Sequence, residues 1–124
     1  MELPVTKMSR IVMPASTNDA GNLYGGRLLD WMDEVSGIAA KRFAHSEVMT
    51  VGIESIRFMR PIPQGSFIDI NAEVVHVGNT SMKIKITVMM DQDPEEEQVQ
   101  TAEAFFTFVA VDENGKPHKV GRTL

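Results

Sequence analysis

Two periodicities divide this sequence. From about Gly26 to Ala44, apolar residues recur at helical spacing, with Leu28, Met32, Val35, Ala39 and Phe43 inside one arc that Leu29 and Ala40 widen. Arg27, Asp30, Glu34 and Lys41 fall on the opposite side. Trp31 and Ile38 also project there, which predicts that something, such as another subunit, covers the outer face of this helix.

Elsewhere the period is two. Met82, Ile84, Ile86, Val88 and Met90 alternate with Lys83, Lys85 and Thr87, the pattern of a half-buried strand, and Gly78-Asn79-Thr80 before them reads as a tight turn. Phe67–Val77 alternates likewise, with Ile68, Ile70, Ala72 and Val74 on one face, and Val99–Val111 reads as the last strand. Glu47–Met59 is rich in Val, Ile and Phe and ends in Pro61-Ile62-Pro63-Gln64-Gly65, which is turn chemistry. A shorter strand is expected at about Val5–Val12, a loop at 91–98, and a turn at Asn114-Gly115 closing the ordered part. Met32, Met59, Met82, Met89 and Met90 read as adaptable core fillers.

The expected order is therefore strand, helix, then four strands. Short connections predict that strands consecutive in the chain are antiparallel neighbours. One helix with a wide apolar arc needs a sheet that curls around it. The fold class is α+β: one long helix wrapped by a curved antiparallel sheet of about five strands. At 124 residues, with no repeat and no long linker, the chain fits a single domain with its core at about 8–120.

Charge sharpens the picture once it is divided by region. The net charge of −5 comes from 12 Lys and Arg against 17 Asp and Glu. Asp91, Asp93, Glu95, Glu96 and Glu97 account for all of the excess, so the body of the protein is neutral. Without a basic surplus to displace counterions, a nucleic-acid partner is not expected. No run approaches the roughly 18 apolar residues of a spanning helix, so membrane insertion is not expected. Absent cysteine excludes disulfides and thiolate chemistry, and a cytoplasmic location is the expectation.

Two features invite chemistry. Gly25 and Gly26 immediately precede the helix, where main-chain N–H groups are unpaired and the dipole end is positive. A carbonyl oxygen developing negative charge would be stabilised there, although a glycine pair also fits a plain tight turn. Asp33 sits at the edge of the apolar arc among Ser36, Gly37 and Ala40, as a partly buried base or nucleophile or simply as a boundary charge. His45, His76 and His118 are scattered without metal-ligand spacing, so no metal site is expected.

The run Met13-Pro14, Thr17-Asn18, Gly21-Asn22, Tyr24-Gly25-Gly26, Leu28-Leu29 and Trp31-Met32-Asp33 resembles the signature of hotdog-fold acyl-CoA thioesterases. It is most similar to the bacterial broad-specificity acyl-CoA hydrolases and the related double-hotdog cytosolic acyl-CoA hydrolases of animals. The similarity continues through Thr50-Val51, Glu54-Ser55, Phe58, Arg60-Pro61, Val77-Gly78, Ser81, Lys83-Ile84 and the run 104–110, and so covers about Arg10 to Val120. Tyr24, where the family has Phe or His, is the one departure. Hotdog dehydratases carry a histidine near the helix start; the stretch Asn18–Gly26 has none.

The resemblance implies hydrolysis of acyl-CoA to a carboxylic acid and coenzyme A, with Asp33 as the catalytic carboxylate and Asn18 arriving from the opposite subunit. It implies back-to-back dimers assembled further into trimers of dimers or tetramers, and a homo-oligomer, at least a dimer and preferably a hexamer, is expected. Coenzyme A enters as substrate and product, and no separate cofactor is expected. Its phosphates and pantetheine arm are expected to meet Arg57, Arg60, Asn79, Ser81 and Lys83, which lie near the turns at 60–65 and 78–81. The rival readings are a non-catalytic acyl-CoA-binding or sensor domain and a structural oligomerisation module. Helical rise independently favours a two-chain site: Gly26 and Asp33 stand roughly 10 Å apart along the axis, too far to serve one carbonyl.

Overall fold

The computed structural model describes residues 5–92 and 97–124, so the middle of the acidic loop expected at 91–98 lies outside the described residues. The elements are β1 (Thr6–Ile11), a single 3₁₀ turn (Pro14–Ser16), α1 (Gly25–Ala44), β2 (Glu47–Phe58), β3 (Phe67–Val77), β4 (Ser81–Met90) and β5 (Val99–Val111). Tyr24, still extended, precedes the helix, and His45 ends it in the left-handed region at φ 53°, its N–H donating to the Lys41 carbonyl at 2.8 Å. Lys41 and Arg42 in the last turn complement the negative end of the dipole.

All five strands form one antiparallel sheet in the order β1-β3-β4-β5-β2. This is the hotdog architecture, with α1 against the concave face. Alternation decides which side chains meet the helix: Ile68, Ile70 and Ala72, then Met82, Ile84, Ile86 and Val88, then Ala102, Ala104, Phe106 and Phe108 are all buried. From α1, Leu28, Met32, Val35, Ala39 and Phe43 fill the same core.

Three expectations are corrected. First, β2 and β3 are consecutive but not neighbours. The connection at 59–66 carries the chain from one side of the sheet to the other, leaving β2 as an edge strand paired only with β5. Pro61 and Pro63 lack the N–H that a ladder needs, which suits this crossing. Second, Trp31 is only 7% exposed within its own chain. Arg10 of β1 covers it, with its guanidinium 4.8 Å from the ring centre and paired to Glu34 at 3.3 Å, whereas Ile38 remains exposed. Third, order does not end at Asn114-Gly115. The turn folds the tail back, with the His118 N–H bonded to the Ala110 carbonyl at 2.9 Å and Val120 buried in the core. Of the five methionines read as core fillers, Met32 and Met82 are fully buried and Met89 and Met90 half-buried, while Met59 is exposed.

Near the start of β3, Asp69 accepts hydrogen bonds from Ser9 at 2.6 Å and from Gln98 at 2.9 Å. These two bonds, with the charge of Lys7, hold its carboxyl below the usual aspartate value. A depressed carboxylate contributes stability above its unfolded value near 4 that is lost as pH falls through the folded value. Asp69→Asn should therefore lower the melting temperature slightly at pH 7, and the gap should close as pH falls below about 4. A gap that widened on acidification would contradict this.

Candidate active site

The helix start and the loops around it enclose a cavity of about 350 Å³, lined by Asn18, Asn22, Leu23, Gly25, Leu28, Phe58, Met59, Arg60, Pro61 and Ile62. Asn18 is positioned by its own loop. Its side-chain oxygen accepts the N–H groups of Ala20 at 3.0 Å and Asn22 at 3.1 Å, which fixes the amide orientation. Its NH₂ group makes no hydrogen bond among the described residues, so it remains available as a donor. The loop is closed by main-chain bonds from Asn18 to Asn22 and from Leu23 to Ile62, at 2.8 and 2.7 Å.

Gly25 and Gly26 occupy the first helical turn, where their N–H groups have no helical acceptor. Neither adopts a positive φ. A methyl group at Gly25 would lie 3.5 Å from Phe58 Cζ, and one at Gly26 would lie 3.7 Å from the Tyr24 ring, both ordinary contacts. Neither backbone shape nor packing within the protomer demands glycine here. What the missing side chains leave is an open approach to the N–H groups from the cavity.

Asp33 lies elsewhere. It does not line the cavity, and from Gly25 it is about 12 Å further along the axis at 1.5 Å per residue. In the isolated chain it is exposed rather than partly buried. Thr50 of β2 donates its hydroxyl hydrogen to Asp33 Oδ1 at 2.7 Å and fixes the carboxylate against the sheet. Thr50 faces the helix because it pairs with Phe108, on the concave face of β5. Thr50 was legible only as part of the family run, since nothing in the sequence joins it to Asp33.

The five residues expected to meet coenzyme A do not converge in one protomer. Arg60 lines the cavity and has no carboxylate partner among the described residues. Arg57 and Lys83 lie on the convex face, paired to Glu103 at 3.3 Å and Glu54 at 2.9 Å, and Lys83 also sits 5.0 Å over the Phe105 ring. Asn79 and Ser81 belong to the β3–β4 turn at the far end of the sheet, where the Asn79 carbonyl accepts the Val120 N–H at 3.0 Å.

The edge strand adds a last feature. Met49, Val51, Ile53, Ile56 and Phe58 of β2 are all exposed, and one margin of the strand is unpaired. Antiparallel pairing of two such strands about a twofold axis near mid-strand would bring Thr50 and Asp33 of one copy towards Phe58, Gly25 and Asn18 of the other.

Comparison with known proteins identifies the family. The profile of the thioesterase superfamily matches residues 20–97. The acyl-CoA thioester hydrolase YciA of Escherichia coli is 39% identical over 110 residues, covering 86% of this chain and 83% of the relative. An acyl-CoA hydrolase from Staphylococcus aureus, solved with butyryl coenzyme A and coenzyme A, superposes with a TM-score of 0.90 at 30% identity, over 93% of this chain and 70% of its own. The hexameric thioesterase y2039 from Yersinia pestis superposes at 0.87 with 32% identity, covering 96% of each chain. Solved alanine variants of the Staphylococcus aureus enzyme replace an asparagine, an aspartate 15 residues later and a threonine 17 residues after that. Asn18, Asp33 and Thr50 stand at the same spacing. With fold, sequence and site spacing in agreement, the chain belongs to the thioesterase superfamily, beside the bacterial acyl-CoA thioester hydrolases.

Proposed function

We propose that this protein hydrolyses acyl-CoA thioesters at a site built from two subunits. The observation that carries the reading is Asp33, held by Thr50 and set at the same spacing from Asn18 as in the Staphylococcus aureus acyl-CoA hydrolase. The thioester carbonyl oxygen sits at the Gly25 and Gly26 N–H groups of one subunit. Asp33 of the other takes a proton from water, whose oxygen adds to the carbonyl carbon. The carbon–sulfur bond breaks and the proton passes to the leaving sulfur, giving the carboxylic acid and coenzyme A thiol. Alternatively, Asp33 attacks directly to give a mixed anhydride and coenzyme A thiol, and water then hydrolyses the anhydride to release the acid and free Asp33. The free NH₂ of Asn18 orients the water or the thioester. Arg60, without a carboxylate partner among the described residues and lining the cavity wall, is the best placed of the predicted residues to meet a phosphate. Arg57, Lys83, Asn79 and Ser81 reach coenzyme A only if assembly brings another copy's surface to the cavity. Self-association through β2 builds the dimer, and hexamers follow by the example of the Yersinia pestis protein.

The direct test is thiol release from a panel of short, medium and long acyl-CoAs, followed with a thiol-trapping dye. Turnover above background supports the reading. Tight binding without turnover would make the protein an acyl-CoA sensor instead.

The glycines give a sharper test. Gly25→Ala is sterically accommodated and replaces a poor helix former, so the fold should hold or gain up to about 1 kcal/mol. Thioester hydrolysis should nonetheless fall at least tenfold in kcat, because the methyl group narrows the approach to the N–H donors. Full activity in a folded Gly25→Ala protein would remove the oxyanion role.

A further inference from the structure

The edge strand β2 carries two bulges, and the second decides which way Phe58 points. Glu54 pairs with Phe105 and Arg57 with Glu103, so Ser55 and Ile56 together stand against Ala104 alone. Ser55 takes a left-handed φ of 55°, which costs a side chain of L configuration about 1–2 kcal/mol. Side chains alternate along a strand, so one extra residue inverts the faces of everything after it. In an unbroken ladder Phe58 would stand opposite Thr101 and face away from the helix. With the bulge it pairs with Ala102 and turns onto the helix start, next to Gly25.

The result is an aromatic ring in an unusual place. Phe58 is 53% exposed, yet it lies on the concave side and walls the cavity together with Leu28 and Ile62. Its Cζ and Cε2 atoms come within 3.5 and 3.8 Å of where a Gly25 methyl would be. The ring therefore stands directly beside the N–H groups assigned to the thioester oxygen.

We propose that Phe58, turned inward by the Ser55 bulge, selects among acyl groups by limiting the width available next to the carbonyl. This inference rests on the thioesterase reading. A straight acyl chain leaves the carbonyl carbon as a single methylene and passes the ring edge. An acyl group branched or aromatic at the α-carbon meets the ring while its carbonyl oxygen is at Gly25. The favoured substrates are straight-chain acyl-CoAs, and the disfavoured ones are α-branched and aryl acyl-CoAs.

The test compares kcat/KM for butyryl-CoA, isobutyryl-CoA and benzoyl-CoA in the wild type, Phe58→Leu and Phe58→Ala, each checked for assembly by light scattering. Removing the ring should raise the isobutyryl-to-butyryl ratio about tenfold in Phe58→Ala, with Phe58→Leu between it and the wild type. Phe58→Leu keeps an apolar side chain at the position and so guards against a folding defect. Ratios unchanged within about twofold in both variants, or a uniform loss on all three substrates, would overturn the selecting role. A wild type that hydrolyses none of the three, nor any acyl-CoA in the wider panel, would instead overturn the thioesterase reading itself.

Discussion

Asp33→Asn is expected to lower kcat by about 10²–10⁴-fold, the range of a lost general base, with little change in melting temperature because the side chain is exposed. Asn18→Ala should also be severely impaired, since it removes the free NH₂ group and opens the loop that Asn18 closes on Ala20 and Asn22. Thr50→Val should cost less, about 10–100-fold, corresponding to one hydrogen bond to a charged group. The informative experiment mixes the first two variants. A heterodimer of Asp33→Asn with Asn18→Ala contains one intact composite site and one doubly damaged site. Random exchange makes half of the dimers mixed, so about a quarter of the wild-type sites should return. Verified exchange with no recovery would place both residues in one subunit, whatever the overall activity.

The second large effect is expected at the β2 edge. Ile53→Lys places a charge at the middle of the exposed margin, and pairing two copies there would oppose like charges. The variant should sediment as a 13.8 kDa species, and its hydrolysis should fall by at least about 100-fold because each cavity loses the Asp33 of its partner. A fully active monomer would refute the two-chain site. A wild type of 13.8 kDa at micromolar concentration would refute the assembly.

Much of this fold can be read from side-chain alternation alone. The bounds of β3 and β5 follow from it directly, since one face of each strand is buried along most of its length. The helix is equally legible, to within one residue at its start. What alternation does not carry is partner choice. Nothing in residues 47–58 says that their neighbour is the last strand rather than the next one, and the two bulges in β2 interrupt the pattern that would otherwise assign its faces. Trp31 shows the same limit, because helical spacing places it on the polar side while Arg10 of a distant strand covers it. The site divides likewise. Gly25, Gly26 and Asp33 stand out by residue type near a helix start and Asn18 only through the family resemblance, but the Asp33–Thr50 bond spans an intervening turn and depends on a register that is set only in the sheet. The sequence does not show that Arg57 and Lys83 are paired, because their partners, Glu103 and Glu54, are distant in sequence and neighbours across the sheet.

The position of β2 also bears on how the chain comes off the ribosome. Its ladder runs from Phe58 opposite Ala102 to Glu47 opposite Val111. When residues 47–58 have been synthesised, their only strand partner among the described residues does not yet exist. At about 5–20 residues per second, the most apolar edge of the protein waits on the order of several seconds for β5. During that interval β3 and β4 can form their hairpin and receive β1, but β2 has only the helix to hold it and no strand to pair with. The strand best suited to meeting another copy is thus the last to find its place within its own, and nascent chains are most vulnerable to premature association just before their final strand appears.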